Sequence, residues 1–159
     1  MKVIRNSVFE TNSSSVHSLS IYGNDVMETP TRPIQGYFEE FGWGYESYTY
    51  PEGRLSYVLV EIARGLNTKE EFLNDEKFLW VNEVVKEYTG SDIVFDWEHT
   101  SESSYYPFGY IDHQSIDYKT GVPDVLLNFW SDEEIEFKKN IKDFIFNNKY
   151  TIEIDNDNH

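Results

Sequence analysis

Apolar and polar residues alternate along Val16-His17-Ser18-Leu19-Ser20-Ile21-Tyr22, the period of two expected of a half-buried strand, and Gly23-Asn24-Asp25 follows as a turn. Tyr150-Thr151-Ile152-Glu153-Ile154 alternates in the same way and predicts a closing strand, at a sheet edge. Between these ends the period lengthens. Leu55, Val58, Leu59 and Ile62 recur at helical spacing between Pro51 and Gly65, predicting a helix over about 52–64. Thr68 with Glu71 is a capping-box pattern for the next helix. Phe78, Val81, Val84, Val85 and Tyr88 mark the face of a longer helix that ends near Gly90, with Leu79 and Trp80 widening the stripe. Ser131 with Glu134 repeats the capping pattern before an amphipathic helix that carries Ile135, Ile141, Phe144 and Ile145 and ends near Asn147. Val3-Ile4 and Ile93 to Trp97 read as short strands, and Tyr110-Ile111 with Ile116 to Tyr118 as a hairpin around Asp112-His113-Gln114. Residues 23–36, with Pro30, Pro33 and Gly36, read as a loop.

Together these elements predict an α+β fold, a small mixed or antiparallel sheet with about three helices packed on one face. At 159 residues the chain reads as a single domain, 1–159, with a flexible tail near 155–159. Twelve tyrosines, 11 phenylalanines and 4 tryptophans predict an aromatic core. Seven of these rings crowd into residues 37–50 around Glu39, Glu40 and Glu46, a stretch that reads as a long surface loop or irregular hairpin. Its rings either fill the core beneath a loop, leaving the glutamates to solvent, or present an aromatic surface to a partner.

Charge changes the picture more than size does. The formal net charge is −16, with 29 acidic against 13 basic residues, so long-range repulsion argues against nucleic acid or an anionic membrane as a direct partner. A basic protein suits the chain better, although the same acidity also keeps an aromatic-rich surface soluble. The charge is uneven: residues 1–36 hold three acids and three bases, whereas residues 67–100 hold nine acids and three bases. With no cysteine there is no disulfide, thiolate metal site or cysteine nucleophile. No apolar run approaches the ~18–20 residues of a membrane span, and the expected location is cytoplasmic, in a bacterial host cell.

The segment from Arg5 to Ser18 gathers the side chains of polar chemistry. Ser13, Ser14 and Ser15 can offer hydroxyls and backbone N–H groups to a phosphate, with Arg5 as charge partner and His17 as proton carrier. A nucleophilic serine would further need His17 within reach and a third group such as Glu10 to orient it. The competing reading is a turn in which Thr11, Asn12 and the serines bond their own backbone. This opening, Arg5, then Val8-Phe9-Glu10-Thr11-Asn12-Ser13-Ser14-Ser15, then His17-Ser18, resembles one found in proteins of unassigned activity from Gram-positive bacteria and their phages. The resemblance implies a bacterial or phage setting and no reaction.

Other constellations carry less. Asp96, Glu98, His99, Glu102, Asp112 and His113 would converge on a metal only if the strand at 93–97 paired with the hairpin near 110, and they match no dedicated ligand spacing. The repeated His-x-Ser at His99 and His113 is too closely spaced for a two-histidine phosphoesterase, and no Walker, Rossmann or nucleophile-elbow motif occurs. No metal or cofactor is therefore expected.

The leading expectation is an acidic phage-type binding protein that inhibits a host nucleic-acid-binding defence protein, such as a CRISPR or restriction nuclease, by occupying its basic groove. Glu39, Glu40, Trp43, Glu46, Asp132, Glu133, Glu134 and Glu136 are the candidate contact residues. The alternative is a small nucleotide- or phosphate-binding enzyme that uses Arg5, Glu10, Asn12, Ser13, Ser14, Ser15 and His17.

Overall fold

The computed structural model describes residues 16–22, 24–42, 46–97, 108–111 and 116–155. Among them the architecture is α+β. The largest sheet has three antiparallel strands, β1 (Val16–Ile21), β9 (Tyr150–Asp155) and β4 (Glu46–Tyr48), with β9 in the middle. His17 lies opposite Ile154 on one side of β9, and Glu46 lies opposite the same residue on the other. The closing strand is thus central, where its alternation predicted an edge. Tyr150, Thr151, Ile152 and Ile154 are all buried, and Glu153 finds a polar partner in the Tyr22 hydroxyl, which donates to its carboxylate at 2.6 Å.

Three two-stranded pairs complete the strands. β2 (Gln35–Gly36) runs parallel to β5 (Val94–Phe95), and β3 (Glu40–Phe41) runs parallel to β6 (Tyr110–Ile111). β7 (Ile116–Asp117) is antiparallel to β8 (Val122–Pro123). The expected hairpin between 110 and 118 is therefore replaced by two pairings with other partners. Among the described residues of 37–50, β3 and β4 each pair with a distant strand and not with each other. The strand after residue 92 pairs with β2 and not with β6 near residue 110.

Helix α1 (Pro51–Ala63) starts with Pro51, whose fixed φ suits the first helical turn, and every residue in it except Glu52 is buried. A helix apolar on one stripe would lie on a surface; one enclosed on all sides lies in the core. Against it pack α3 (Glu76–Thr89) and α4 (Glu134–Phe146), and the short α2 (Lys69–Leu73) packs on α3. The Thr68–Glu71 capping box forms as expected: Glu71 N–H donates to the Thr68 hydroxyl, and Thr68 N–H to the Glu71 carboxylate, both at 3.1 Å. Asp75 caps α3 by accepting from Lys77 and Phe78 N–H, and Gly90 ends that helix with φ +86°, a left-handed conformation that glycine adopts without strain.

The start of α4 departs from the sequence pattern. Glu134 is its first helical residue, so Glu134 cannot occupy the third position that a capping box from Ser131 requires; the Ser131 hydroxyl instead accepts from Glu133 N–H at 3.0 Å. Ile135 is 84 % exposed and not part of the buried face, which Phe137, Ile141, Phe144 and Ile145 supply.

The core is aromatic. Phe38 lies within 5.2–5.8 Å, centroid to centroid, of Phe72, Phe95, Trp97 and Phe108. Phe41 packs on Tyr48 at 5.2 Å and on Tyr57 at 5.0 Å. The tail from 156 and the Val3-Ile4 strand lie outside the described residues.

Candidate functional site

The acidic aromatic stretch divides between core and surface. Phe38 and Phe41 are buried, Tyr37 and Tyr48 are half-buried, and Tyr50 is exposed; Trp43 and Tyr45 lie outside the described residues. Glu39, Glu40 and Glu46 are half-buried and do not stand free in solvent. The Tyr48 hydroxyl donates to the Glu39 carboxylate at 2.7 Å, and Glu46 Oε1 is buried with no hydrogen-bond partner among the described residues. Burial raises the Glu39 carboxyl above its ordinary range. It also pushes the Tyr37 hydroxyl up to about 12, reinforced by the charge of Glu39. For Tyr48, burial followed by the bond to Glu39 acts in the same direction. The chemistry here is a carboxylate-rich, partly desolvated wall that opposes further negative charge.

The second acidic group is open to solvent. Asp132, Glu133, Glu134 and Glu136 are all exposed, Asp132 by 96 % of its side chain. Two of the nearest lysines are already engaged. Lys77 Nζ bonds Asp132 at 3.0 Å, and Lys138 Nζ bonds both Glu134 and Glu83 of α3. Glu133 and Glu136 extend the surface beyond those pairs, and Glu76, Glu83 and Glu87 lie on the neighbouring α3 at spacings of seven and four, which place them along one helical face.

His17 faces inward from β1 and is buried, its Nδ1 2.9 Å from the Tyr57 hydroxyl of α1. Burial lowers its pKa to about 4, so the imidazole is neutral at physiological pH. That position serves the core and not a solvent-open site. The other members of the polar opening, Arg5, Glu10, Asn12, Ser13, Ser14 and Ser15, lie outside the described residues, as do Glu98, His99, Glu102, Asp112 and His113. Among the described residues no group of three or more His, Asp or Glu side chains is disposed to hold a metal ion.

Two features were missed in the sequence. The first is Arg54, fully buried within α1. Its guanidinium donates to the carbonyls of Phe144, Ile145 and Tyr150 and to Asn148 Oδ1, at 2.8 to 3.1 Å. Burial pulls its pKa down to about 10, still well above neutrality, so the charge is retained. The second is a cleft of about 580 Å³ between residues 28–37 and 47–53, at the start of α1, within the size range of small-ligand and side-chain pockets. Neither carries a local signature, because their parts are distant in sequence. No family model, curated protein or solved structure matches this chain. The functional reading therefore rests on the surface and its chemistry. Among the described residues no helix is long and apolar enough to cross a membrane.

Proposed function

We propose that this chain is an acidic, non-enzymatic binding protein of phage type that inhibits a host nucleic-acid-binding defence protein, such as a CRISPR or restriction nuclease, by occupying its basic groove. The observation that carries the reading is the exposed acidic surface at the start of α4, where Asp132, Glu133, Glu134 and Glu136 all face solvent; Lys77 pairs with Asp132 and Lys138 with Glu134 and Glu83, Lys139 and Lys142 lie beside Glu83 and Glu87 of α3, and Glu133 and Glu136 stand outside these pairs. A formal charge of −16 adds a long-range field that attracts a basic surface and accelerates encounter. The polar opening shared in type with bacterial and phage proteins supports the setting, and a cytoplasmic location follows from the proposed partner.

The half-buried Glu39, Glu40 and Glu46 contribute field in this reading, and the exposed acids of α4 contribute contacts. The test is the quadruple neutralisation Asp132→Asn, Glu133→Gln, Glu134→Gln and Glu136→Gln, assayed for protection of DNA against a panel of purified restriction and CRISPR nucleases. Wild type is expected to inhibit one of them and the variant to lose inhibition. Equal inhibition by both would refute the role of this surface.

A further inference from the structure

The cleft at the start of α1 joins two kinds of group that favour a cation. Tyr37, Tyr48 and Tyr50 line it, and Tyr50 is 72 % exposed. Glu28 and Glu52 line it too. One oxygen of each is engaged, Glu28 Oε1 by Asn148 Nδ2 at 2.7 Å and Glu52 Oε2 by Gln35 N–H at 2.9 Å. The remaining oxygen of each accepts no hydrogen bond among the described residues. Arg32, on the same lining, and Arg54, whose buried guanidinium acts on Glu28, offset part of this negative charge, while Glu39, which accepts from the Tyr48 hydroxyl, adds to it; the Tyr37 hydroxyl is raised by burial first and then by the charges of Glu39 and Glu52. Pro30, Pro33 and Pro51 stiffen the walls, which reduces the ordering that binding requires.

We propose that this cleft receives an arginine side chain presented by a basic protein partner, its guanidinium stacked on tyrosine and bonded to Glu28 and Glu52. A planar guanidinium satisfies both requirements at once, whereas an ammonium meets the carboxylates without the stacking. A phosphate or other anion would face two glutamates across the same space. The proposal rests on the reading of the chain as a binder of basic proteins and names what one part of such a partner supplies.

The test uses the full chain and capped pentapeptides with a central arginine, lysine or citrulline, followed by NMR shift titration. Arginine is expected to bind in the cleft, and citrulline, of the same shape but neutral, at least about tenfold more weakly. The pair Glu28→Gln and Glu52→Gln keeps the acceptors that Asn148 and Gln35 use, and should produce a similar loss. Tyr50→Ser, at an exposed ring, should weaken binding roughly threefold. Equal binding of arginine and citrulline, equal binding of arginine and lysine, or unchanged affinity in the glutamine variant would each overturn the proposal. The peptides require no host protein, so the α4 neutralisation should leave peptide affinity unchanged. Loss of nuclease inhibition in that variant with peptide binding intact separates the two surfaces; absence of inhibition by wild type with intact peptide binding refutes the broader reading alone.

Discussion

Arg54→Met tests how the interior is held together. α4 ends at Phe146, and the N–H groups that would continue its ladder go elsewhere: Asn148 N–H donates to the Val26 carbonyl and Lys149 N–H to Asn147 Oδ1. The Phe144 and Ile145 carbonyls are thereby left for Arg54, which bonds both. Methionine fills much of the stem volume and donates nothing. Two buried carbonyls without partners cost about 1–3 kcal/mol each, or about 2–6 kcal/mol together. Relief from burying a guanidinium offsets part of this, so we expect a net loss of about 2–4 kcal/mol. That is a large fraction of the ~5–15 kcal/mol typical of a folded domain. Urea unfolding followed by tryptophan fluorescence should show a midpoint lowered by roughly 1–2 M with an unchanged slope. Arg54→Lys, with one compact donor group, should fall between the two. A midpoint within about 0.3 M of wild type for Arg54→Met would refute the assignment of these carbonyls to Arg54.

Three further outcomes are expected. His17 binds a proton near pH 6.5 when unfolded but only near 4 when folded, so its contribution is complete above about pH 6.5 and is lost as pH falls toward 4. Wild type should therefore lose about 2–3 kcal/mol more than His17→Gln between pH 7 and pH 4, measured as a difference because the raised Glu39 and Glu61 carboxyls act in the opposite sense. Gly109 has φ +84°, and a Cβ there would lie 2.4 Å from the Glu39 carbonyl oxygen; Gly109→Ala should cost about 1–3 kcal/mol in chemical denaturation and disturb the β3–β6 pairing. Thr68→Ala removes the cap of α2 and should cost about 1 kcal/mol in the same assay.

What was legible in the sequence was local. β1, α1, the Thr68 capping box and the Gly90 terminus each depend on residues a few positions apart, and each formed where the pattern put it. The placement of β9 was not, because alternation reports which face is apolar and not how many neighbours a strand has. Parallel pairings such as β2 with β5 join residues about 60 positions apart and leave no local mark. Arg54 was overlooked for a related reason: a charged residue in an amphipathic helix reads as solvent-facing, and only the convergence of α4 and β9 supplies its carbonyls. The acids at 132–136 were legible as a charge run, whereas the burial of Glu39, Glu40 and Glu46 depended on strand pairings the sequence did not reveal. Ser131 misled because it sits two residues before Glu133, the capping position of the helix that follows.

The most direct test of the account is capture from a bacterial lysate on immobilised wild type and on the Asp132→Asn, Glu133→Gln, Glu134→Gln, Glu136→Gln variant, eluted in turn with moderate salt and with duplex DNA. The account predicts that wild type retains a nucleic-acid-binding protein which both salt and duplex DNA release, and that the variant retains none of it. Retention of the same proteins by both forms, or retention that duplex DNA does not reverse, would contradict it.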